Sequence, residues 1–467
     1  MTLHVEILRS GARYRGAETA PVPDVRDGEA RAIVSLANPG LIRRDVARWR
    51  DGARALAEMS TAERISRTIA AADLFRHAEL PVGDALIGWE GWVELTSAST
   101  GLPHPLVRRN GAKVESSLRH ADQVVRGLSR GLPPALLDTG WGEVEGLLLG
   151  LVQVVRTLGA VLPSNSPGVH TLWTPAPALG VALALKPGRG DPWTPQRVLA
   201  ALTAAGLPAS AFSLYPSAHD GGAAVIEAAE RVMVFGGEAT VRAHRGDPRV
   251  EVHGPGFSKV ICGPDVDPLA LLDELEQGVV SNGGRSCINT STILVPAGLG
   301  PRVAAALAER LARHAPRALD DPEATLAAFA DRAQASAIDA ALDQRLDGAV
   351  DHTAPWRSAR RVERDGLVYL LPTVVSCPPE HPLARTELPF PFVAVVEYGA
   401  PGELAAALGP TLVASVWSDE PALWDAVRRC VTVDRLHRGV GTMGIRWDQP
   451  HEGNLFDACW RRRGVAA

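Results

Sequence analysis

Paired cysteines, long apolar runs and an excess of basic residues are all missing from this sequence of 467 residues. Its 48 Lys and Arg residues against 53 Asp and Glu residues give a net charge of −5, which carries no electrostatic signature of a nucleic-acid or membrane partner. The five cysteines include no Cys-x-x-Cys pair. This argues against a disulfide framework and a structural metal site, and it predicts a reducing, cytoplasmic compartment. The N-terminal residues lack the apolar core of a secretion signal, and the most apolar stretch, 146–162, is interrupted by Gln153 and Arg156.

The composition is that of a globular protein, with 46% hydrophobic and 22% charged residues. Short strands and turns are expected over 1–35 and helices over 45–78 and 105–128, with Ser60 and Glu63 forming a capping box. From about residue 147, apolar segments of strand length alternate with helical ones, which predicts a parallel sheet covered by helices. The expected strands are 157–162, 181–185, 212–215 and 231–235, then 250–252, 259–262, 290–295, 368–375 and 392–396 in a second α/β region. Further helices are expected over 195–205, 268–280, 300–350 and most of 401–432, with an Arg-rich solvated tail or subunit contact at 460–463.

The sharpest candidate for chemistry is Cys287, within Ser-Asn-Gly-Gly-Arg-Ser-Cys-Ile-Asn at 281–289. Glycines before a cysteine allow the backbone to approach a ligand closely and free nearby N–H groups to face it. A cysteine on such a loop is more accessible than one in a core, whereas an average cysteine is buried and inert. Cys287 is therefore the predicted nucleophile, and the other four cysteines are predicted to be structural.

This loop resembles the nucleophile loop of the aldehyde dehydrogenase superfamily, and four further stretches follow in that family's order. They are LGAVLPSNSP at 158–167, ALALKP at 182–187, FGGE at 235–238 and ELPFPF at 387–392, the last one residue longer than the family pattern. The resemblance implies an α/β fold with a Rossmann-type cofactor domain over 1–248, including an oligomerisation segment near 133–157. It also implies a catalytic domain over 249–431 and a C-terminal segment, 432–467, that returns to the cofactor domain or to a subunit interface. A homodimer or homotetramer is expected.

The resemblance also implies roles for individual residues. Cys287 attacks an aldehyde or acyl carbon to form a thioester, and Asn165 with the Cys287 backbone N–H holds the oxyanion. A nicotinamide cofactor is implied, and the residues expected to bind it are Pro163, Ser164, Lys186, Arg189, Gly236, Gly237, Glu238, Gly254, Glu387 and Phe390. Arg189 stands where NAD-preferring relatives often carry Glu, so it slightly favours NADP over NAD, although it is also compatible with a solvated loop arginine.

One departure from the family pattern bears on the reaction type. With Gly254 placed on the first glycine of the family's Gly-Gly pair, Val252 occupies the position of the hydrolytic general base, and Glu251 is one residue off. Gly-Pro-Gly at 254–256 resembles the CoA-acylating aldehyde dehydrogenases and acyl-CoA reductases. This predicts interconversion of an aldehyde and an acyl thioester, with CoA or an acyl carrier protein as the thiol partner. His253 is a candidate acid/base, and an equally available interpretation is a structural hydrogen-bonder.

Three alternatives remain open at this point. An ordinary aldehyde dehydrogenase releasing a free acid is predicted if Glu251 turns inward as the general base. A cysteine hydrolase or transferase without nicotinamide and a non-catalytic scaffold that retained the fold are the alternatives from other classes. The presence of Cys287, Asn165, Lys186 and Glu387 together argues against the scaffold.

Overall fold

The computed structural model describes residues 2–466, without the side chains of residues 405 and 406. Met1 and Ala467, the outer ends of the predicted ranges 1–248 and 432–467, lie outside the described residues. The strands are β1 Leu3–Val5, β2 Ile7–Arg9, β3 Ala12–Tyr14, β4 Thr19–Pro23, β5 Ala30–Ser35, β6 Leu80–Val82, β7 Ala85–Ile87, β8 Trp141–Val144, β9 Leu147–Gln153, β10 Thr157–Val161, β11 Ala182–Lys186, β12 Phe212–Leu214, β13 Arg231–Phe235, β14 Val250–His253, β15 Ser258–Cys262, β16 Thr290–Pro296, β17 Val350–Asp351, β18 Arg361–Arg364, β19 Leu367–Leu370, β20 Thr373–Ser376, β21 Phe392–Tyr398, β22 Thr411–Trp417, β23 Val433–Arg438 and β24 Trp460–Arg463. The helices are α1 Pro39–Arg44, α2 Val46–Ala57, α3 Thr61–His77, α4 Trp89–Thr100, α5 His104–Arg119, α6 Ala121–Leu128, α7 Pro134–Thr139, α8 Trp193–Ala204, α9 His219–Ala228, α10 Glu238–His244, α11 Leu272–Val280, α12 Gly300–Leu311, α13 Arg332–Asp343, α14 Leu404–Leu408, α15 Pro421–Arg428 and α16 Leu455–Cys459.

The chain forms two compact units, and unit 1 comprises the residues up to Ser99, Val107–Gly254 and the residues from Arg446 onward. Its main sheet has the order β14-β13-β10-β11-β12-β2-β3, in which β10 to β14 are parallel and β2 and β3 are antiparallel. The buried, apolar strand β11 lies at the centre, as expected where helices cover both faces of a parallel sheet. Loops that follow these strands therefore gather at one edge of the sheet, where ligands of such folds bind.

Unit 2 comprises Thr100–Leu106 and Pro255–Ile445. Its main sheet has the order β17-β20-β21-β16-β15-β22-β23, parallel except for β17. Two apolar cores cover its faces, one built around α12 and the other around Phe390, Phe392 and α15. Cys287 lies in the connection between α11 and the central strand β16, so the sheet's core fixes both ends of its loop.

Most strands expected from residue 157 to residue 296 form within one or two residues of their predicted limits, and Ser60 accepts the predicted capping hydrogen bond from Glu63 N–H. The prediction of helix over most of 401–432 is wrong, because β22 runs through that region as a strand beside β15 that is buried up to its last residue. The helical prediction for 300–350 holds only for α12 and α13, and the strand expected at 368–375 divides into β19 and β20 around Pro372. The Arg-rich segment 460–463 is strand β24, paired with β9, and not a tail.

Within residues 2–466, the structure contains no helix that is both long enough and apolar enough to cross a membrane.

Candidate functional site

The loop that carries Cys287 is shaped by three successive left-handed residues. Asn282, Gly283 and Gly284 have φ values of 54°, 63° and 74°. Side chains rarely adopt this conformation, and a Cβ on Gly284 would overlap the backbone of Phe390 and Pro391. The glycine pair therefore allows close packing of the loop against Phe390 and Pro391, in addition to the predicted close approach of a ligand to the loop backbone.

Two side chains of the same loop hold its backbone in place. The Asn289 Nδ2 group donates to the carbonyls of Gly278 and Ser281, at 2.8 and 2.9 Å, and its Oδ1 accepts the Ser286 N–H at 2.8 Å. The buried Arg285 guanidinium donates to the carbonyls of Thr100 and Ala328. The loop is thus rigid before any ligand binds, which favours a positioned nucleophile.

Cys287 is one of two cysteines that are not fully buried, and the other, Cys430, lies outside the glycine-containing loop. Cys262, Cys377 and Cys459 are buried, and burial raises the pKa of each thiol to about 12. Cys430 is half-buried, and burial raises its thiol pKa as well. Cys287 is half-buried and packs beside a small apolar cluster of Ile288, Leu412, Val413 and Met443. Because thiolates are the reactive form, Cys287 is the best candidate nucleophile among the five.

The segment 256–258 underlies the Cys287 peptide. A Cβ on Gly256 would overlap the Cys287 carbonyl oxygen, and the Ser258 hydroxyl donates to that oxygen at 2.9 Å. The Phe257 N–H donates to Glu387 Oε2 at 2.7 Å. Glu387 and Phe390, both predicted from the sequence to bind cofactor, therefore lie beside the nucleophile loop within unit 2, Phe390 through its contact with Gly284.

In unit 1, a cavity of about 240 Å³ opens where strand β11 ends. Its polar side includes Lys186, Arg189, Ser217 and His219, and its apolar wall comes from the β4–β5 hairpin. No carboxylate of the described residues lines it. Burial lowers the pKa of Lys186, and the neighbouring Arg189 lowers it further. The Ser217 hydroxyl is buried and finds no hydrogen-bond partner among the described residues. Two cations and a hydroxyl beside an apolar wall fit a phosphorylated nucleoside.

Pro163 and Ser164, two of the predicted cofactor positions, pack against the loop that follows Lys186. The Ser164 hydroxyl accepts the Gly190 N–H at 2.9 Å. A Cβ on Gly188 would overlap both Ser164 and Pro163, so a glycine is required there. Asn165 follows directly, before the 3-10 helix Pro167–Leu172. The structure thus brings two of the predicted cofactor positions, Pro163 and Ser164, against the loop that lines the cavity in unit 1.

The other predicted cofactor positions of unit 1 lie at the carboxyl ends of the paired strands β13 and β14. Gly237 caps the start of α10, Glu238 is its first residue, and Gly236 N–H donates to the carbonyl of His253 at 3.1 Å. A Cβ on Gly236 would overlap Thr240, and one on Gly254 would lie 2.6 Å from Val241. Both glycines are therefore needed for the packing of α10, and their role in binding cofactor stays a prediction.

The structure also shows a cluster at the end of β14 that the sequence did not reveal. The buried His253 ring stacks on Phe235, and its Nδ1 is hydrogen-bonded to Glu452. Its Nε2 lies 3.3 Å from Glu251 Oε1, and Glu251 lies 3.7 Å from Arg231. Glu251 and His253 therefore share one face of β14, and Val252 lies on the other. Glu452 is 199 residues away in sequence, and no local motif identifies it.

This cluster gives a testable pH dependence. Burial works against the charged His253, but the neighbouring carboxylates of Glu251 and Glu452 outweigh it and raise the pKa of His253 to about 9 from an ordinary 6.5. A raised histidine pKa stabilises the fold below pH 6.5, and this contribution is lost as the pH rises through 9. We expect the unfolding free energy of the wild type to exceed that of His253→Gln by about 1–3 kcal/mol more at pH 6 than at pH 9.5.

Urea denaturation of both proteins at each pH, followed by circular dichroism, measures this difference. Comparing the two proteins cancels the pH dependence of every other group. A difference that stays constant, or grows with pH, would contradict a charged His253.

Comparison with known proteins places these features in a family. A model described as the aldehyde dehydrogenase family matches residues 153–438, more than half of the chain. Three solved structures resemble the whole chain. Indole-3-acetaldehyde dehydrogenase from P. syringae, in complex with NAD+ and IAA, is 17% identical, with a TM-score of 0.80 over 99% of this chain and 96% of that one. An NAD-dependent aldehyde dehydrogenase from Sinorhizobium meliloti is 20% identical, with a TM-score of 0.81 over 100% and 95%. Gamma-glutamyl-gamma-aminobutyraldehyde dehydrogenase from Burkholderia cenocepacia J2315 is 19% identical, with a TM-score of 0.80 over 99% and 96%. These likenesses confirm the predicted α/β fold.

Proposed function

Because this chain belongs to the aldehyde dehydrogenase family, we propose that it oxidises an aldehyde with NAD(P) through a thioester on Cys287. The observation that carries the proposal is the placement of Cys287, half-buried on a loop fixed by Asn289, Arg285 and two left-handed glycines. The substrate is a small-molecule aldehyde, and the net reaction converts aldehyde, NAD(P)+ and an acyl acceptor into acyl product, NAD(P)H and a proton.

Each group of the chain then has one task in the proposed reaction. The Cys287 thiolate forms a bond to the aldehyde carbon, and the carbonyl oxygen becomes an oxyanion. By family resemblance, Asn165 and the Cys287 N–H donate hydrogen bonds to that oxyanion. A bound nicotinamide would supply the hydride acceptor, and loss of the hydride from the substrate carbon would leave a thioester on the Cys287 sulfur. The acyl acceptor finally breaks the C–S bond, and Cys287 is returned as thiolate.

Water is the first proposed acyl acceptor, with Glu251 removing its proton to release a free acid. The similar solved structures support this choice, since their names are those of aldehyde dehydrogenases and none is named as an acyl-CoA reductase. The Glu251 carboxylate lies at the end of β14, 3.3 Å from His253 Nε2 and 3.7 Å from Arg231. A carboxylate is one of the side-chain groups that can remove a proton from water as a general base.

A thiol such as CoA or an acyl carrier protein is the second proposed acceptor, and one observation favours it. The Glu251 carboxylate is already engaged by Arg231 and His253, and the apolar Val252 side chain cannot act as a base. A thiol has a pKa near 8.5 and needs much less help than water to attack a thioester. In this case the enzyme interconverts an aldehyde and an acyl thioester.

A single assay separates the two acceptors. NAD(P)H formation from aldehyde is followed at 340 nm, about the absorbance maximum of the reduced cofactor, with and without CoA, for the wild type and Glu251→Gln. If water is the acceptor, we expect no effect of CoA and a loss of about 10²–10⁴-fold in Glu251→Gln. If a thiol is the acceptor, we expect CoA to increase turnover by a comparable factor and Glu251→Gln to retain it. No NAD(P)H under any of these conditions would contradict the proposed function itself.

For the cofactor, we propose that the cavity at Lys186 and Arg189 holds the adenosine end of NAD(P) and favours NADP. The charge of the cavity supports this, because two cations without a facing carboxylate suit a 2′-phosphate better than a 2′-hydroxyl. Arg189→Glu is expected to lower the ratio of kcat/KM for NADP to that for NAD by about 10- to 100-fold, the worth of a charge-assisted hydrogen bond.

The matched control is Arg44→Glu, which makes the same charge change at an exposed position of α1 outside the cavity. It should leave the ratio unchanged. If both variants shift the ratio equally, long-range charge rather than the cavity sets the preference.

We also propose a homodimer or homotetramer. Support comes from the β24-β9-β8 sheet, where Trp141, Leu147 and Leu148 are large apolar side chains exposed on a single chain. An apolar surface of this kind marks an interface between subunits more often than a solvated face. Sedimentation equilibrium measures the assembled mass.

A further inference from the structure

A buried lysine with no assigned task lies beneath the nucleophile loop. Lys259 is in β15, between β16 and β22, and only 1% of its surface is exposed. Its Nζ donates to the Phe257 carbonyl at 2.7 Å, to Thr411 Oγ1 at 2.9 Å and to the Pro410 carbonyl at 3.3 Å. These three acceptors match the three donors of an ammonium group.

Burying the Lys259 ammonium group between the strands costs free energy of desolvation. Burial lowers the pKa of Lys259 to about 7, Glu387 opposes that shift and Arg385 adds to it. An apolar residue of similar length would fill the same space between the strands without the cost of desolvating a charge. The contacts of Lys259 therefore need an explanation beyond packing.

The first of those contacts is to a strained residue. Phe257 has a φ of 46°, a left-handed conformation that is unfavourable for a bulky side chain. It is held on both sides of its Cα, because its N–H donates to Glu387 and its carbonyl accepts from Lys259. Lys259 and Glu387 together thus hold a conformation that the chain would not adopt alone.

Phe257 in turn fixes the two neighbouring residues that contact the Cys287 backbone. Gly256, just before it, lies against the Cys287 carbonyl and accepts a hydrogen bond from Leu412 N–H at 2.7 Å. Ser258, just after it, donates to the same Cys287 carbonyl. A change of φ at Phe257 would move both neighbours, and with them the Cys287 peptide.

We propose that Lys259 is a positioning residue for Cys287, acting through the left-handed Phe257 to hold segment 256–258 against the nucleophile's backbone. This rests on the proposed function for its effect on turnover. It goes beyond that function because it assigns a task to a side chain that touches neither the aldehyde nor the thiol.

The test is a double-mutant cycle between Lys259→Met and Phe257→Gly. Methionine retains the side chain's length without its donors, and glycine adopts a positive φ without support. We expect Lys259→Met to lower kcat about 10- to 100-fold with KM changed less than threefold. In the Phe257→Gly background, the same change should cost at most threefold. Equal losses in both backgrounds would overturn the proposal, because contacting residues that act through one another are not additive.

Val303→Ala, in the α12 core of unit 2, controls for general destabilisation. It should lower the urea midpoint without lowering kcat. If kcat falls in both Lys259→Met and Val303→Ala in proportion to the stability that each loses, Lys259 contributes only to packing and the positioning role is overturned. Should Lys259→Met fail to fold, Ser258→Ala replaces it, and an unchanged kcat in that variant counts against the proposal.

The rate of Cys287 alkylation by iodoacetamide, measured across pH by peptide mass mapping, needs no substrate or cofactor. We expect Lys259→Met to change this profile and Val303→Ala to leave it unchanged. The result separates the two claims, since an altered profile in an enzyme without aldehyde oxidation would contradict the proposed function and retain the positioning role. An unaltered profile together with an unchanged kcat would overturn the positioning role alone.

Discussion

Cys287→Ala is expected to lower aldehyde-dependent NAD(P)H formation by on the order of 10³-fold or more, because no other group would form the covalent intermediate. Cofactor binding should remain within about twofold of the wild type, since alanine removes only the Cys287 thiol and leaves the residues of the cavity at Lys186 unchanged. Steady-state kinetics measure the first effect, and quenching of tryptophan fluorescence by NAD(P)H measures the second.

Cys430→Ala is the matched control, because Cys430 is the other cysteine that is not fully buried. It should retain activity within about twofold. Substantial turnover in Cys287→Ala, or an equal loss in Cys430→Ala, would show that another group is the nucleophile.

Gly256→Ala is expected to have the second largest effect. The added Cβ would overlap the Cys287 carbonyl oxygen. The backbone on each side is held by a hydrogen bond, from Leu412 N–H to the Gly256 carbonyl and from the Ser258 hydroxyl to the Cys287 carbonyl. Neither side can yield without moving the nucleophile, so we expect kcat to fall by about 10²-fold, the typical cost of a displacement of the reacting groups of about 1 Å.

Gly402→Ala provides the comparison within the same unit, because no atom lies within 4 Å of the Cβ it would add. Its kcat should match the wild type. A Gly256→Ala enzyme with wild-type kcat would show that the loop relaxes freely, and the rigid placement of Cys287 would then be wrong.

Features fixed by local chemistry were predictable from the sequence. The cap at Ser60, the parallel strands around β11 and the glycine pair before Cys287 each depend on residues within a few positions of one another. The strands of the parallel sheets appear as short apolar runs between turn residues, which is the pattern of strands buried on both faces.

Features fixed by distant partners were not predictable. Strand β22 is a short apolar run, which periodicity alone cannot distinguish from a buried helical segment, and its place between β15 and β23 makes it a strand. The same holds at the site, where His253 meets Glu452 from the C-terminal segment and Lys259 meets Pro410 and Thr411. No spacing within the sequence indicates those pairs.

The most direct test of the proposed function is to detect the thioester on Cys287 itself. Wild-type enzyme is mixed with an aldehyde and NAD(P)+, quenched in acid within the first turnovers and digested for peptide mass mapping. We expect an acyl mass increment on the peptide that contains Cys287. It should form only when both aldehyde and NAD(P)+ are present, and hydroxylamine should remove it. NAD(P)H formation with no increment on that peptide, or with the increment on another residue, would contradict the proposed function.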